Sequence, residues 1–378
     1  MKLLERKEAQ HSGNQLLRGA TINKKEKKFL AKISDLLFYT IMIGFIIVLF
    51  LMYGPYNGFR DWYITTAITT MNHQYLATWF YSSETINDVL NKNKILEVDA
   101  VTDPTLVTTT ATTGKITYAN EYEKAILEKD LSHPDYKIIK IKDSKYTGYL
   151  AVIYDPSSVQ TLVTNKLKKE GQYLTDMAND LGATIAINGG VFTGLSTSSE
   201  ELNSQELAYG GAGGSPQGIT ISNGKVITNT SYTGVGGLIG FNDENKLVLG
   251  KMTLQQAQNL KVRDAVTCGP FLIINGESSK VIGNGGWGTA PRTAIGQRKD
   301  GIVLMLTIDG RRATMPGATM EDLLEIMKNY GAYNASALDG GTSTAMVENG
   351  KLVNDPIDST GAHATRPIAT GFGAVFTK

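Results

Sequence analysis

The chain has 378 residues, of which 42% are hydrophobic, so it is long enough and apolar enough to bury a sizeable core. Lys and Arg together number 37 against 36 Asp and Glu, so the chain lacks the excess positive charge of nucleic-acid-binding proteins. These values argue against wholesale disorder and against a nucleic-acid partner. Cys268 is the single cysteine, which excludes an intramolecular disulfide and a paired-thiol metal site.

The first predicted element is an apolar segment near the N-terminus. Residues 36–53 are almost all apolar, and a helix of that length crosses the ~30 Å hydrocarbon layer. Six basic residues between Arg18 and Lys32 precede it, so the positive-inside rule places residues 1–35 in the cytoplasm. A cleavable signal peptide is the alternative, but no small-x-small site closes the apolar run. We therefore predict one uncleaved span, with the larger part of the chain outside the cell membrane.

Residues 54–114 are predicted to form a stalk and linker. Apolar and aromatic residues recur at helix-like intervals from Asp61 to Val98, which favours a juxtamembrane helix. Residues 102–114 are rich in Thr and lack apolar periodicity, which indicates a linker.

Residues 115–378 are predicted to form the main domain. Short β-branched segments such as 302–308 alternate with Gly-rich turns and a few helical stretches. This alternation of segments predicts the α+β (mixed α/β) class. We expect a twisted mixed β-sheet with a few packing helices, preceded by the transmembrane helix.

One local pattern occurs twice in this domain. A helix that ends at Gly182 is followed by a strand and by Asn188, Gly189 and Gly190. A second helix ends at Gly331, and its strand is followed by Asp339, Gly340 and Gly341, with the hydroxyl of Ser343 close behind. Polar side chains at strand ends are typical of ligand sites, and glycines let a backbone approach a ligand closely. A tight turn explains either copy alone, whereas the repetition favours a site.

Three further residues add candidate charges. Asp309 follows the predicted strand 302–308, and Arg292 and Arg366 each lie in a small, uncharged stretch. A buried arginine needs an anionic partner, and its planar fork suits phosphate or carboxylate. Each arginine is therefore either a phosphate ligand or a structural ion-pair partner.

The ordered set of these pieces resembles the phosphodiester glycosidases, a group that includes the lysosomal uncovering enzyme and bacterial relatives labelled as exopolysaccharide biosynthesis proteins. The resemblance covers roughly residues 145–378. The matching pieces, in order, are Asn188-Gly189-Gly190, Gly269-Pro270, Asn275-Gly276, Arg292 to Gly296, Asp309-Gly310-Arg311, Leu338-Asp339-Gly340-Gly341 with Ser343, and Arg366.

The resemblance implies a hydrolase that cleaves the glycosidic C–O bond of a sugar-1-phosphodiester in surface or exopolysaccharide glycans. Phosphate is a good leaving group, which reduces the need for a general acid and favours cationic groups at its oxygens. Asp339, Asp309 and Arg292 are then the candidate catalytic residues. The candidate substrate-binding residues are Asn188, Gly189, Gly190, Gly340, Gly341, Ser343 and Arg366.

Other assignments stay open at the level of sequence. The roles of nucleophile and base cannot be divided between Asp309 and Asp339, and His363 is either a proton carrier or an exposed histidine. We expect no cofactor and no metal, since no ligand spacing typical of a metal site is present. A non-catalytic glycan-binding protein or a glycan transferase are the alternative functions.

Overall fold

The structure is a computed structural model that describes residues 23–69, 74–109, 117–193, 213–358 and 361–376. The predicted boundary at Lys115 and the first 22 residues of the predicted tail lie outside these ranges. The chain divides into two compact units, Met1–Arg60 and Asp61–Lys378.

The described helices confirm the apolar element near the N-terminus. A capping box at Asn23 begins α1, whose most apolar 18-residue window has a mean hydropathy of 2.5, so length and composition fit a membrane span and equally a signal sequence. The helices are α1 (Lys24–Tyr53), α2 (Asn57–Ile68), α3 (Tyr75–Thr78), α4 (Ser83–Lys92), α5 (Glu121–Leu127), α6 (Leu174–Leu181), α7 (Leu254–Asn259) and α8 (Met320–Asn329). Short 3-10 helices span Pro104–Leu106, Pro156–Ser158 and Gly341–Ser343.

The described strands confirm the α+β class. They are β1 (Lys94–Leu96), β2 (Tyr136–Lys142), β3 (Thr147–Ile153), β4 (Val159–Val163), β5 (Ile185–Asn188), β6 (Phe192–Thr193), β7 (Ser215–Pro216), β8 (Ile219–Ser222), β9 (Lys225–Asn229), β10 (Gly237–Asn242), β11 (Leu247–Gly250), β12 (Val262–Cys268), β13 (Phe271–Ile274), β14 (Glu277–Ser278), β15 (Lys280–Ile282), β16 (Arg292–Arg298), β17 (Val303–Ile308), β18 (Ala332–Leu338), β19 (Met346–Glu348), β20 (Lys351–Leu352) and β21 (Thr370–Ala374).

These strands form several sheets. A seven-stranded sheet has the order β14-β13-β18-β16-β17-β3-β2, and two five-stranded sheets have the orders β11-β10-β12-β8-β9 and β20-β19-β5-β21-β4. Two pairs, β1-β15 and β6-β7, complete the set. Each described pairing of strands is antiparallel, for example Thr293 of β16 opposite Leu338 of β18.

The seven-stranded sheet is buried on both faces. Leu150 and Val152 of β3 pack in one apolar cluster with residues of α5 and α8, such as Ile126 and Leu323. The alternate residues of β3 pack in a second cluster with residues of both five-stranded sheets. This period-2 alternation places helices on one face and the other sheets on the opposite face.

Residues 94–109 make contacts with the sheets that a free linker would lack. β1 pairs with β15, the amide of Thr102 donates to the carbonyl of Leu249 at 3.0 Å, and the amide of Thr108 donates to the carbonyl of Lys299 at 2.8 Å. Non-local hydrogen bonds therefore hold a segment whose sequence has the texture of a linker.

Candidate active site

Both copies of the repeated pattern fold as helix, left-handed glycine and strand. α6 ends at Gly182 (φ +73°) and leads to β5, while α8 is followed by Gly331 (φ +80°) and β18. Glycine adopts this backbone conformation without steric cost, so each helix can stop and return the chain to a sheet. The two strands end at Asn188 and at the residue before Asp339.

The two strand ends meet although β5 and β18 belong to different sheets. The side-chain amide of Asn188 donates to the carbonyl of Asp339 at 2.5 Å, and the amide of Asp339 donates to the carbonyl of Gly189 at 3.0 Å. Asn188 is fully buried, and its Oδ1 accepts from Thr293 Oγ1 at 2.7 Å and from the amide of Ala345 at 3.1 Å. The protein itself therefore uses the hydrogen-bonding groups of Asn188, which favours a role in positioning Asp339.

The carboxylate of Asp339 is held by two side chains. Ser343 Oγ donates to Asp339 Oδ2 at 2.6 Å, and Arg366 Nη2 donates to the same oxygen at 3.0 Å. Arg366 Nε also donates to Ser343 Oγ at 2.7 Å, which closes a triangle of hydrogen bonds. The side chains of Asp339 and Arg366 are 22% and 18% exposed, so water and small ligands can reach them.

An aromatic ring supports the arginine of this triangle. The guanidinium carbon of Arg366 lies 4.7 Å from the centre of the Phe192 ring, in β6. This distance is that of a cation–π contact, which helps to hold the guanidinium in place. Arg366 is therefore oriented by Ser343, Asp339 and Phe192 together.

Arg311 is a second arginine at this site, and the sequence analysis gives it no role. A Cβ added at Gly341 would lie 3.0 Å from Arg311 Nη2, so the guanidinium rests against the glycine that follows Asp339 and Gly340. Loss of hydration and then the charge of Arg366 lower the pKa of Arg311, while Asp358 and Asp339 oppose that change. Although Arg311 keeps an exposed surface, its guanidinium is crowded by protein and by a second positive charge.

Arg311 has an unusual backbone conformation and few hydrogen-bond partners. Its φ of +62° is uncommon for a residue with a side chain, although six other described non-glycine residues also have a positive φ. Within the described ranges Arg311 makes one side-chain hydrogen bond, from Nη1 to the carbonyl of Ile357 at 3.3 Å, and no ion pair. Its other guanidinium donors make no hydrogen bond to the described part of the protein.

The amides of the paired glycines are largely used within the protein. Gly189 donates to the carbonyl of Thr370 at 2.9 Å, Gly190 to Thr370 Oγ1 at 3.0 Å, and Gly341 to the carbonyl of Pro291 at 2.9 Å. A Cβ on Gly190 would lie 2.5 Å from the carbonyl oxygen of Thr267, and one on Gly340 would lie 2.9 Å from that of Pro291. These contacts explain the glycines by close packing of backbone against backbone.

Asp309 lies in a separate, buried polar group. Asn354 Nδ2 donates to its carboxylate at 2.9 Å, and the amide of Asp355 donates at 3.1 Å. Burial raises the pKa of Asp309, and these two hydrogen bonds oppose the change. Arg312 and His363 both contact Asp355, the latter through Nδ1 at 2.6 Å from Oδ1, so this group fastens the segment that precedes Arg366.

Arg292 is buried and donates to three backbone carbonyls. Its Nε contacts the carbonyl of Ala318 at 3.1 Å, and its Nη2 contacts the carbonyls of Trp287 and Gly288 at 2.8 Å each. Burial lowers the pKa of Arg292 to about 10, so the side chain stays charged at neutral pH. These contacts favour a structural role in which Arg292 ties the loop 287–291 and residue 318 to β16.

The described residues thus bring together Asp339, Ser343, Arg366, Gly341 and the unpredicted Arg311, with Asn188 behind them. In the part of the chain that the structure describes, no three His, Cys, Asp or Glu side chains are grouped as a metal site requires. The fold and this cluster define an α+β protein with an accessible carboxylate that pairs with one arginine, Arg366, and has a second, Arg311, close to Gly341.

Comparison with known proteins gives the family. A family model described as phosphodiester glycosidase matches residues 181–375, a little over half of the chain. The chain therefore belongs to the phosphodiester glycosidase family, which confirms the resemblance drawn from the motifs.

Individual proteins that resemble this chain share low sequence identity with it or match only a short part of it. The catalytic domain of zebrafish N-acetylglucosamine-1-phosphodiester alpha-N-acetylglucosaminidase, auto-inhibited by its pro-peptide, has a similar fold, with a TM-score of 0.50 and 22% identity over 64% of this chain and 82% of that one. A putative exported protein from Burkholderia pseudomallei has a TM-score of 0.42 and 16% identity, over 61% of this chain and 74% of that one. The SPbeta prophage-derived uncharacterized protein YomE of Bacillus subtilis (strain 168) is 41% identical over 68 residues, which are 18% of this chain and 11% of YomE.

Proposed function

We propose that this protein is a hydrolase that cleaves the glycosidic C–O bond of a sugar-1-phosphodiester. Family membership supports the reaction type, and the observation that carries the proposal is the accessible ion pair of Asp339 with Arg366, with the guanidinium of Arg311 against the nearby Gly341. Two arginines suit the oxygens of a phosphate, and one carboxylate suits the positive charge that develops at the anomeric carbon.

In this proposal Arg311 and Arg366 bind the phosphate that departs. The free donors of Arg311 and the oriented fork of Arg366 would meet the negative charge that grows on the leaving oxygen. This assignment replaces Arg292 by Arg311 as the partner of Arg366, because the described contacts of Arg292 are with backbone carbonyls.

Asp339 is proposed to stabilise or attack the anomeric centre. Its hydrogen bonds from Ser343 and Arg366 hold the carboxylate in position. Asp309 remains a candidate for the second carboxylate of the reaction, since burial raises its pKa in the direction that suits a proton acceptor, although it lies in a separate polar group.

The proposed setting is the outer surface of the cell membrane. Basic residues precede the apolar part of α1, so we propose that residues 1–35 are cytoplasmic, that 36–53 cross the membrane, and that the rest acts on surface or exopolysaccharide glycans. Protease added to intact cells should then remove the large unit, whereas cleavage of an N-terminal tag alone would contradict this topology.

Product analysis tests the reaction itself. The purified full-length protein in detergent should release free sugar and a phosphate monoester from a panel of sugar-1-phosphodiesters, and Asp339→Asn should release both products at least about a hundredfold more slowly. A new glycoconjugate in place of free sugar would indicate a transferase, and binding without turnover would indicate a glycan-binding protein. Either result would contradict the proposed hydrolase.

A further inference from the structure

A second surface of interest lies soon after the apolar helix. From Trp62 to Ser83 the sequence has no Asp, Glu, Lys or Arg, and two of the three tryptophans of the chain, Trp62 and Trp79, fall in this stretch. A segment without charged side chains avoids the large free-energy cost of moving a charge out of water. It therefore differs from an ordinary solvated surface of a globular domain.

The structure divides the aromatic residues around α3 into an inner and an outer set. On the inner side Ala77 and Tyr81 are buried, the Tyr63 hydroxyl donates to the carbonyl of Leu76 at 3.1 Å, and the rings of Tyr63 and Tyr81 lie 6.3 Å apart, edge to face. These contacts hold the turn of chain in place. The inner set therefore accounts for the packing of α3.

The outer set forms an exposed aromatic patch. Trp79 is 74% exposed, Phe80 is 45% exposed and Tyr75 is 41% exposed, and the rings of Tyr75 and Trp79 lie 4.7 Å apart. Trp and Tyr are enriched where proteins meet the membrane–water interface, because their rings are apolar and their N–H or O–H groups remain hydrated. Tyr75, Trp79 and Phe80 have this composition.

A short connection links α1 to the unit that carries this patch. The apolar helix α1 ends at Tyr53, and the second unit begins at Asp61, eight residues later, so the connection extends at most ~28 Å. A short tether of this kind holds a weakly binding surface at an effective concentration of about the millimolar range. With α1 in a membrane, a lipid surface is therefore the partner to which the chain tethers the second unit.

We propose that Tyr75, Trp79 and Phe80 insert into the interfacial layer of the membrane that α1 crosses. The inference rests on the proposed membrane anchor and is independent of the proposed reaction. It would hold the second unit against the lipid surface, as a second point of attachment beside α1. A second copy of the chain that covers the patch is the competing occupant, which the experiment separates.

Fluorescence of a single tryptophan tests the insertion. The full-length chain with Trp62→Phe and Trp287→Phe retains Trp79 alone and is reconstituted into phosphatidylcholine vesicles or into matched vesicles of brominated phosphatidylcholine. We expect a blue-shifted emission that the brominated lipid quenches by at least about half, as for a tryptophan in the interface. A matched control carries Trp79→Phe and Leu131→Trp as well, because Leu131 is 93% exposed in a turn. Its emission should be that of a hydrated tryptophan.

The possible results separate the occupants. An unquenched Trp79 in chains that float with the vesicles would overturn the insertion and leave the anchor intact. Emission that is blue-shifted but unquenched, and that depends on the protein-to-lipid ratio, would mean that a second copy covers the patch. Chains that fail to float would overturn both the anchor and the insertion. As a check in the native background, Trp79→Phe alone should remove most of the quenchable fluorescence.

Discussion

At the scale of single residues, Asp339 carries the proposed chemistry. Its carboxylate accepts from Ser343 Oγ and Arg366 Nη2, so Asp339→Asn keeps the size of the side chain and removes the charge. We expect kcat to fall by about a hundredfold or more, as for loss of a group that stabilises transition-state charge, with little change in the affinity for an uncleaved analogue. Asp130→Asn is a matched control, because Asp130 also accepts from a serine hydroxyl at 2.6 Å but lies in an exposed turn. Full activity of Asp339→Asn would refute the assignment.

Substitution of Arg311 and substitution of Arg292 should have different effects, the first on catalysis and the second on stability. Arg311→Lys removes the planar fork at an accessible site, so kcat/KM for phosphodiesters should fall by about tenfold to a hundredfold with unchanged stability. Arg292→Lys breaks hydrogen bonds to three buried carbonyls, so it should cost about 2–4 kcal/mol of unfolding free energy and leave kcat/KM of the folded enzyme intact. Steady-state kinetics and urea unfolding of both variants distinguish the roles. The reverse pair of results would restore Arg292 as the phosphate ligand.

Sequence alone predicts part of this cluster. The pattern of a polar residue and two glycines after a strand indicates Asp339 and Asn188, and the isolated arginine indicates Arg366. The sequence does not identify Arg311 as a site residue, because Asp309-Gly310-Arg311-Arg312 has the composition of a turn. Its left-handed backbone conformation also leaves no signal in the sequence. The sequence also does not predict the burial of Asn188, because the groups that hydrogen-bond to its side chain belong to residues 293 and 345, far away in the chain.

At the scale of elements, α8 leads directly into β18, the strand that ends just before Asp339. Thr319 and Asp322 form a capping box, and Lys145 Nζ lies 2.7 Å from Asp322 Oδ1. Partial burial raises the pKa of Asp322, but the hydrogen bonds from Lys145 and Thr319 outweigh it, so the net pKa is lowered. A lowered carboxyl pKa means that the folded state gains stability when the group is charged.

Asp322→Asn should therefore destabilise the fold by about 1–2 kcal/mol at neutral pH. The contribution is fully present above the pKa of an unfolded Asp, about 3.9, and it is lost as the pH falls through the lower folded-state pKa. Urea unfolding of the unchanged protein and of Asp322→Asn should be measured from neutral pH into acid. The difference between their unfolding free energies should shrink toward zero as the pH falls. A difference that stays constant with pH would mean that the carboxylate charge contributes nothing.

The sequence predicts those helices and strands whose own residues carry the signal, such as helical periodicity or a glycine at the helix end. α6 with β5 and α8 with β18 show helical periodicity, a glycine stop and a β-branched or small-residue strand, and the structure confirms each. β1 and residues 102–109 follow no such rule, because their partners are supplied by β15, by Leu249 and by Lys299, far away in sequence. Pairing that is set by distant strands leaves no local pattern to detect.

At the scale of the whole molecule, the boundary of the main domain is a testable point. The boundary at Lys115 stays a prediction. The contacts of residues 94–109 with the sheets favour a domain boundary near Asp61 instead. A chain that begins at Tyr118 loses β1, the hydrogen bond from Thr102 and the bond from the Phe271 amide to Glu97 Oε1. At about 1 kcal/mol net for each hydrogen bond, its unfolding free energy should be lower by several kcal/mol than that of a chain from Asp61.

Truncation at Asn93 supplies the control for that comparison, because it removes α2 to α4 and retains β1. Its urea midpoint should lie close to that of the chain from Asp61 if the β1 segment accounts for the difference. Equal midpoints for the chains from Asp61 and Tyr118 would place the boundary after residue 109 and support the linker prediction.

The central claim is that this protein breaks the bond between the sugar and the oxygen of the phosphate. Hydrolysis of a sugar-1-phosphodiester in water enriched with heavy oxygen, with mass analysis of the phosphate monoester, tests it most directly, because the monoester does not exchange its oxygens on this timescale. Attack at the anomeric carbon, supported by Asp339 while Arg311 and Arg366 bind the leaving phosphate, predicts heavy oxygen in the sugar and none in the phosphate. Heavy oxygen in the phosphate would mean attack at phosphorus, and would contradict the account.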